Sequence, residues 1–344
     1  MSKRTVLKAL FTVIIIGNCM LLLLLYTPTR CTHLQVTKYT KKNIPYHTTK
    51  PTTLDDVYIA VRTSKSNHNG RMAVIHQTWF QLAKKQTWFF TDVEDEKLQN
   101  LTDGHMINTK CGESHSRRDL CCKMGVEIST FMTASESKWF CHFDDDNYIN
   151  IPKLVDVLNG YDPDADWYLG KLSLDHPAIV THNETKKTTR FWFGTGGAGV
   201  CISRPLVTKM KPFTIGDQFM RTCDLVAIGD DATMGYILHA QNISLTVIDR
   251  FHSHYEQFKC IPRETIEKEI VLSYKGENIL EIEGFDLETD PTRFMSLHCV
   301  LFPNADLCTT MKRTYTIPTK NTQHSCIIHK FLSIISVSFW CRYI

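Results

Sequence analysis

The most informative part of the chain reads Cys141-His142-Phe143-Asp144-Asp145-Asp146-Asn147-Tyr148, where aromatic residues run directly into three carboxylates. The composition of residues 138–143 is typical of a buried strand, so the acidic triplet is predicted at the carboxyl end of that strand, where open α/β sheets bind ligands. Three adjacent carboxylates are costly unless a cation neutralises them, and their hard oxygen atoms suit Mg²⁺ or Mn²⁺, which can bridge a diphosphate. We interpret the triplet as a metal and nucleotide-sugar site.

A second interpretation of the triplet is an acidic turn that caps the following helix. Asn150-Ile151-Pro152 has the pattern of a helix start, with proline in the first turn. One aspartate is enough to cap a helix, whereas three need a further explanation, and this favours the metal site.

The 344-residue chain has 43% hydrophobic and 22% charged residues, an ordinary balance for a globular protein of one large domain or two smaller ones. Its formal net charge is only +3, and much of the positive excess lies near the N-terminus. Because nucleic-acid-binding proteins present a basic surface, we do not expect nucleic acid as a partner.

A membrane anchor is predicted at residues 9–26, which carry no charge and are apolar apart from Thr12 and Asn18. This segment is just long enough to span a bilayer, and it follows a basic N-terminus. We therefore predict an uncleaved signal anchor, with residues 1–8 cytoplasmic and the rest of the chain luminal. A cleaved signal peptide is the alternative, although no small-residue cleavage site follows the apolar core.

Residues 27–54 are rich in Thr, Lys and Pro and contain no Gly, which predicts a luminal stem that does not fold alone. A luminal location also allows disulfides and glycans. The chain has thirteen cysteines, and N-glycosylation sequons begin at Asn100, Asn183 and Asn242. Because the cysteine count is odd, at least one cysteine is unpaired or intermolecular, and Cys19 in the apolar segment is the obvious candidate.

An alternation of strand and helix patterns from residue 56 onward predicts a parallel α/β sheet. It begins with a strand at 56–61, a helix through Trp79 and a strand at 88–91. It continues with helices at 116–132 and 152–158, a strand at 167–170, a strand pair around 191–202, a helix opening near Asp230 and a strand at 245–251. We treat residues 55–310 as a single catalytic unit and have no functional account of the tail at 311–344.

The glycine-rich segment Gly194-Thr195-Gly196-Gly197-Ala198-Gly199 contains a formal Gly-x-Gly-x-x-Gly. A dinucleotide fingerprint must open a helix, whereas Val200-Cys201-Ile202 continues as a strand and the next helix is predicted to start near Ser203. Two interpretations stay open. One is close approach of the backbone to a bound sugar or phosphate, and the other is a glycine-kinked strand packed under aromatic residues.

Asp230 and Asp231 lie where a helix is predicted to open. Aspartate is a preferred N-cap residue, so helix capping is one interpretation, and a general base for a sugar hydroxyl is the other. A helix N-terminus and a nearby cation both lower the pKa of a carboxylate and weaken it as a base. Placement beside the hydroxyl nevertheless matters before pKa.

His252-Ser253-His254 follows the predicted strand at 245–251, and period-two alternation would place both imidazoles on one side. A zinc-hydrolase site is the alternative that His-x-His beside carboxylates suggests. The predicted ligands are mainly oxygen atoms, which argues against zinc.

Seven segments taken together carry a resemblance to a known family: residues 139–148, Tyr168-Leu169-Gly170-Lys171, Ser173-Leu174-Asp175-His176-Pro177, Phe191-Trp192-Phe193, residues 195–199, Cys201-Ile202-Ser203-Arg204 and Phe251-His252-Ser253-His254. They resemble the Fringe glycosyltransferases, which belong to a β-1,3-glycosyltransferase superfamily. The similarity runs from about Val57 to Cys308. Each segment alone is a weak signal, but their joint specificity is high.

The resemblance implies a GT-A-like α/β fold with a mixed, mostly parallel sheet flanked by helices. It implies Mn²⁺-dependent transfer of N-acetylglucosamine from UDP-N-acetylglucosamine to the 3-hydroxyl of O-linked fucose on EGF-like repeats of Notch-type receptors. Together with the predicted anchor, it implies a single-pass type II protein of the Golgi membrane.

The resemblance also implies roles for individual residues. Asp146 matches a metal-ligating carboxylate, and His254 matches the second protein ligand of the metal. Asp145 matches a contact to the nucleotide sugar, and Arg71 matches an arginine that contacts the donor nucleotide. Asp231 matches the catalytic base.

Three disulfides follow from the same matching: Cys111–Cys122, Cys141–Cys201 and Cys299–Cys308. The chain departs from the family pattern in having Leu172 and Gly229 in place of prolines and Ala232 in place of a cysteine. Three cysteines have no family counterpart: Cys121, Cys223 and Cys260.

Two other functions stay open at this stage. A related β-1,3-transferase could move galactose or glucose to another acceptor, and a non-catalytic luminal sugar-binding protein or chaperone could keep the same fold. The changes from the family pattern affect fine specificity, but every reactive group is present, which argues against lost chemistry.

Overall fold

The computed structural model describes residues 51–181 and 186–311. The predicted cytoplasmic tail, the anchor and nearly all of the stem lie outside the described residues, as do Asn183 and residues 312–344. Within the described part of the chain, no helix is long and apolar enough to cross a membrane.

The chain forms two compact units, and the boundary between them lies between Glu281 and Ile282. In the second unit, the carboxylate of buried Asp290 accepts hydrogen bonds from the backbone N–H and the hydroxyl of Ser296, at 2.7 and 2.8 Å. The predicted catalytic unit at 55–310 includes both units, and its bounds stay a prediction.

Twelve strands form within the described residues. They are β1 Val57–Arg62, β2 Thr87–Thr91, β3 Met106–Asn108, β4 Trp139–Asp144, β5 Asn147–Ile149, β6 Tyr168–Gly170, β7 Ala178–Thr181, β8 Thr188–Phe191, β9 Val200–Ser203, β10 Thr246–Val247, β11 Phe251–His252 and β12 Val271–Ser273.

The α-helices of the same residues are α1 Arg71–Gln77, α2 Glu96–Leu101, α3 Arg117–Ala134, α4 Ile151–Leu158, α5 Arg204–Thr214, α6 Gln218–Val226, α7 Asp230–Ala240, α8 Phe294–Leu301 and α9 Asp306–Met311. The predicted helices at 116–132 and 152–158 correspond to α3 and α4, and the helix predicted near Asp230 is α7. Arg204, directly after Ser203, begins α5, as expected from its sequence.

Seven strands form the main sheet in the order β10-β6-β9-β4-β1-β2-β3. Strand β9 runs antiparallel to β4 and β6, and every other neighbouring pair in this sheet is parallel. The predicted mixed, mostly parallel sheet is therefore confirmed. Strands β11, β12 and β5 form a small second sheet, and β7 pairs with β8.

Strand β4 lies in the middle of the main sheet, and its composition explains why. Trp139, Phe140, Cys141 and Phe143 are fully buried, as expected for a strand covered on both faces. On one face, apolar side chains of α3, α5, α6 and α7 pack against alternate residues of the sheet, including Phe140. This packing fixes the carboxyl end of β4, where the acidic triplet begins.

Two sequence predictions about strands were wrong. The strand pair expected around 191–202 consists of β8 and β9, which belong to different sheets and are separated by a 3₁₀ turn at Gly196–Ala198. The strand expected at 245–251 is two short strands, β10 and β11, also in different sheets. Alternation therefore cannot be extended from residue 245 to His254.

Four disulfides join described cysteines: Cys111–Cys122, Cys121–Cys223, Cys141–Cys201 and Cys299–Cys308. Three of them are the pairs that the family resemblance implies. The fourth joins α3 to α6 through two cysteines without a family counterpart. Cys141 and Cys201 are directly opposed across β4 and β9, so this bond links the strand that carries the acidic triplet to the strand that follows the glycine-rich turn.

Candidate active site

The acidic turn, Asp144–Asp146, is where β4 ends and the chain reverses into β5. Arg62 is the register partner of Asp144 on β1. Its Nε and Nη2 atoms donate to one oxygen of Asp144 at 3.0 and 2.7 Å. None of the three carboxylates caps the next helix, because the N-cap position of α4 is Asn150. The capping interpretation of the triplet is therefore wrong.

Asp145 is the most fully paired carboxylate of the acidic turn. One of its oxygens accepts hydrogen bonds from the Thr63 hydroxyl and the Asn67 side-chain amide, at 2.7 and 2.8 Å. Its other oxygen pairs with Arg71 Nη1 at 2.7 Å. The side chain of Arg71 is 41% exposed, and that of Asp145 is 4% exposed. Arg71 therefore lies at the open edge of the site with its charge held by Asp145.

Asp146 has weaker partners than Asp145. The Ser273 hydroxyl donates to it at 3.0 Å, and Arg71 Nη1 is 3.8 Å away. Desolvation and the charge of Asp144 raise the pKa of Asp146 to about 7. Its charge is therefore the least compensated in the acidic turn.

His254 lies beside Asp146, because both contact the Ser273 hydroxyl. The His254 Nδ1 atom is 3.5 Å from that oxygen. Desolvation and the charge of Lys275 lower the pKa of His254, which favours the neutral imidazole that a metal ligand requires. The structure thus brings Asp146 and His254 together, as the family resemblance implies.

His252 has a different environment from His254. Its two ring nitrogens pair with Glu256 and Glu269 at 2.9 and 2.7 Å. The prediction that period-two alternation places both imidazoles on one side does not hold, because β11 ends at His252 and the alternation does not reach His254. His252 is held by two carboxylates, so it is not placed as a partner of Asp146.

A metal centre of three or more His, Cys, Asp or Glu ligands is not present within the described residues. One carboxylate and one imidazole remain, and this donor set fits a cation that takes its other ligands from diphosphate oxygens and water.

Asp230 and Asp231 open α7, but the N-cap position is Gly229, so the helix-capping interpretation is wrong for both. The buried guanidinium of Arg62 pairs with Asp230. Desolvation works to raise the pKa of Asp230, but the charges of Arg62 and His142 lower it below its ordinary value.

Asp231 is held by backbone groups instead of a cation. Its two oxygens accept hydrogen bonds from the N–H groups of Gly196 and Ala232, at 3.1 and 2.7 Å. Desolvation, together with the charge of Asp230, raises the pKa of Asp231 to about 6. The expected weakening of this base by the helix N-terminus is therefore outweighed by desolvation and the neighbouring carboxylate.

The glycine-rich turn joins the two groups of carboxylates. Gly196 binds Asp231, and the carbonyl of the next residue, Gly197, accepts a hydrogen bond from Asn147 at 2.9 Å. A Cβ atom on Gly197 would lie 2.9 Å from the His254 ring. Glycine is needed here because the backbone passes directly against the imidazole.

Several residues of the site were not found from the sequence. Arg62, Thr63, Asn67 and Ser273 all bind the carboxylates discussed above. Arg62 could have been suspected, because it is a charged residue that ends a buried strand. Ser273 lies more than a hundred residues from Asp146 in the chain and has no motif around it.

The sequon asparagines are outside this site where the structure describes them. Asn100 lies on α2 and Asn242 follows α7, and both are exposed. Asn183 is outside the described residues. Two of the three predicted glycosylation positions are therefore accessible.

Comparison with known proteins agrees with the geometry. A family model described as Fringe-like matches residues 52–305. The Fringe glycosyltransferase of Drosophila melanogaster is 49% identical over 267 residues, which are 75% of this chain and 64% of that protein. The β-1,3-N-acetylglucosaminyltransferase lunatic fringe of Danio rerio is 43% identical over 263 residues, which are 74% of this chain and 70% of that protein.

Among solved structures, mouse xyloside xylosyltransferase 1 aligns with 56% of this chain and 85% of its own, at 10% identity and a TM-score of 0.35. This likeness is too remote to support an inference. The family model and the relatives above 40% identity are sufficient by themselves: this chain belongs to the Fringe-like family.

Proposed function

We propose that this protein transfers N-acetylglucosamine from UDP-N-acetylglucosamine, with inversion, to the 3-hydroxyl of O-linked fucose on EGF-like repeats of Notch-type receptors. In this way it would modulate Notch signalling. The family and the names of the relatives support the reaction class, and the site residues support a division between donor binding and proton transfer.

One observation carries the proposal. Gly196 donates a backbone hydrogen bond to Asp231, and the backbone of the next residue, Gly197, lies against the His254 ring. A proton acceptor and a candidate metal-binding pair therefore lie against consecutive residues of one short turn. An inverting sugar transferase needs both groups close to the donor, because one takes the proton of the acceptor hydroxyl while the other stabilises the leaving diphosphate.

Asp145 and Arg71 are proposed to bind the donor nucleotide. The partly exposed Arg71 guanidinium keeps donors available beyond the one used for Asp145, and guanidinium groups recognise phosphate well. Thr63 and Asn67 hold Asp145 in place, so Arg71 is presented from a fixed position.

Asp231 is proposed as the general base. As the fucose 3-hydroxyl oxygen forms a bond to the anomeric carbon, the bond from that carbon to the diphosphate breaks and UDP leaves with the electron pair. The hydroxyl proton passes to the Asp231 carboxylate. Its raised pKa makes it a better proton acceptor than an ordinary aspartate.

Asp146 and His254 would hold Mn²⁺. When bound, the ion would neutralise negative charge on the leaving diphosphate. Ser273 orients both residues through its hydroxyl.

A donor and acceptor screen tests the proposal. The purified full-length chain would be incubated with Mn²⁺, with UDP-N-acetylglucosamine, UDP-galactose or UDP-glucose, and with fucosylated or unfucosylated EGF-like repeats. We expect transfer only from UDP-N-acetylglucosamine to the fucosylated repeat. Transfer of galactose or glucose would identify a related β-1,3-transferase, and absence of transfer together with sugar binding would identify a non-catalytic protein.

We also propose that the protein resides in the Golgi membrane as a single-pass type II protein with its catalytic part in the lumen. The apolar segment at 9–26 and the exposed sequon asparagines support this location. Endoglycosidase-sensitive glycans on Asn100 or Asn242 of the cellular protein would support this location. Digestion of residues 55–310 by a protease added to the outside of intact Golgi vesicles would contradict it.

A further inference from the structure

Arg62 joins two parts of the site that are far apart in the sequence. We propose that Arg62 is a positioning residue, which holds the acidic turn against the N-terminus of α7 by bridging Asp144 and Asp230, and so fixes the charge beside Asp231. This inference rests on the proposed function, because it assigns Arg62 to the same reaction.

The geometry of the bridge is that of a buried guanidinium fork. Nε and Nη2 of Arg62 bind one oxygen of Asp144, at 3.0 and 2.7 Å, while Nη1 pairs with Asp230. The side chain of Arg62 is 8% exposed. Because a guanidinium presents donors in fixed directions, the two carboxylates are held at a defined separation.

The neighbouring imidazole does not replace Arg62 in this role. His142 Nδ1 binds Glu127 at 2.6 Å, and its Nε2 is 3.8 Å from Asp144, beyond hydrogen-bond range. Both His142 and Glu127 are fully buried. His142 is therefore committed to Glu127, and the direct contacts to Asp144 and Asp230 come from Arg62.

Arg62 would act through its partners and not on the reacting atoms. Among the described residues its side chain pairs with Asp144 and Asp230, whereas Asp231 is held by backbone N–H groups. In the part of the chain that the structure describes, the charged groups that act on Asp231 are Asp230, next to it on α7, and Arg62 from β1, while the His142 imidazole lies near Gly196, which donates to Asp231. Asp230 raises the pKa of Asp231 and Arg62 lowers it, so the bridge balances two opposite effects.

The test measures kcat/KM against pH for Arg62→Leu, Asp230→Asn and the double variant, because this profile reports the pKa of the essential base in the free enzyme. For Arg62→Leu, the fall in activity at low pH should move to higher pH by roughly one unit or more, since an unpaired Asp230 then faces Asp231. For Asp230→Asn, the fall in activity at low pH should move to lower pH, because the charge that raises the pKa of Asp231 is removed. In the double variant, the fall should return close to its wild-type pH.

Carboxyl carbon NMR of Asp231 in the same variants gives a readout that does not depend on activity. If the pKa of Asp231 measured by NMR shifts in these variants while the pH profile of kcat/KM does not, the proposed role of Arg62 stands and Asp231 is not the catalytic base. The two proposals can therefore fail separately.

Two further variants complete the design. Arg204→Leu is the matched control, because Arg204 donates to the carbonyls of Ser135 and Ser137, which are outside the site. It should lower stability without moving either titration. Arg62→Lys keeps the charge but not the fork, and it should restore part of the activity lost in Arg62→Leu.

An equal loss of activity at every pH in Arg62→Leu, with an unchanged NMR titration of Asp231, would overturn the proposal. If Arg62→Leu does not fold, the Asp230→Asn variant tests the proposal instead. A pKa of Asp231 in Asp230→Asn equal to that in the wild type would overturn the proposal as well.

Discussion

Two pairs of neighbouring aspartates, Asp145–Asp146 in the acidic turn and Asp230–Asp231 at the N-terminus of α7, are built alike. In each pair one carboxylate is held by an arginine: Asp145 by Arg71, and Asp230 by Arg62. Its neighbour, Asp146 or Asp231, lacks such a close cation and has a raised pKa.

The partners of the two raised carboxylates differ, and the difference separates their roles. Asp146 shares a serine hydroxyl with an imidazole, which suits a cation. Asp231 is held by two backbone N–H groups, and within residues 51–181 and 186–311 no imidazole is bound to it, which suits acceptance of a proton. Neighbouring residues of the same type can thus do different chemistry because of what faces them.

The largest expected effect is on transfer by Asp231→Asn. An amide keeps the shape of the side chain but cannot accept the hydroxyl proton, so kcat should fall by about 10²–10⁴-fold. Asp217→Asn is the control, because Asp217 is exposed and pairs with Arg221. Near-normal turnover of Asp231→Asn would contradict the proposed role of Asp231 as the proton acceptor, and with it the proposed difference between the two aspartate pairs.

The disulfide between Cys141 and Cys201 joins β4, which leads into the acidic turn, to β9, which follows the glycine-rich turn that binds Asp231. It closes a loop of 60 residues, and the chain-entropy model gives such a bond roughly 4 kcal/mol of stability. Replacing both cysteines by serine should lower the free energy of unfolding by an amount of that order. Urea denaturation of the purified variant measures it. An unchanged midpoint would show that packing of β4 against β9 is sufficient without the bond.

Mn²⁺ activation should depend on His254 and not on His252 or other histidines. His254→Ala should raise the Mn²⁺ concentration for half-maximal activity by at least roughly tenfold, the lower end of the range for residues around a metal. His176→Ala is the matched control, since His176 is 69% exposed and pairs with Asp175. Equal Mn²⁺ requirements in wild type and His254→Ala would contradict the assignment.

Stability should show the smallest effect, and its sign follows from the raised pKa of Asp146 and Asp231. Because their folded pKa values lie above the ordinary 3.8, the folded state binds more protons than the unfolded state between about pH 4 and pH 7. Stability therefore falls as pH rises through this window. At pH 7 without metal, Asp231→Asn should be more stable than wild type by roughly 1 kcal/mol, because removal of the buried charge outweighs the loss of one of the two backbone hydrogen bonds; thermal unfolding measures the difference. An Asp231→Asn variant that is less stable than wild type would contradict the view that the ionised Asp231 carboxylate lowers stability at pH 7.

Much of the fold could be predicted because local pattern and burial agree. Strand β4 and helices α3 and α4 follow directly from composition and from helix-start signals. The prediction of one strand at 245–251 was wrong because the alternation of residues gives no sign that the chain passes from one sheet to another between β10 and β11.

The site was predictable only where its residues belong to a motif. Asp145, Asp146, Asp231 and His254 stand in recognisable segments, but Ser273 is brought to Asp146 by the pairing of β12 with β5, which no local pattern reveals. The charge compensation of Asp230 by Arg62 likewise depends on the order of the strands.

UDP binding by Asp146→Asn and Asp231→Asn, measured side by side by calorimetry with and without Mn²⁺, tests the separation of the two aspartate pairs most directly. We predict that Asp231→Asn binds UDP with Mn²⁺ as wild type does, whereas Asp146→Asn loses the Mn²⁺-dependent part of binding. Normal Mn²⁺-dependent binding by Asp146→Asn, or an equal loss in both variants, would contradict the proposed roles.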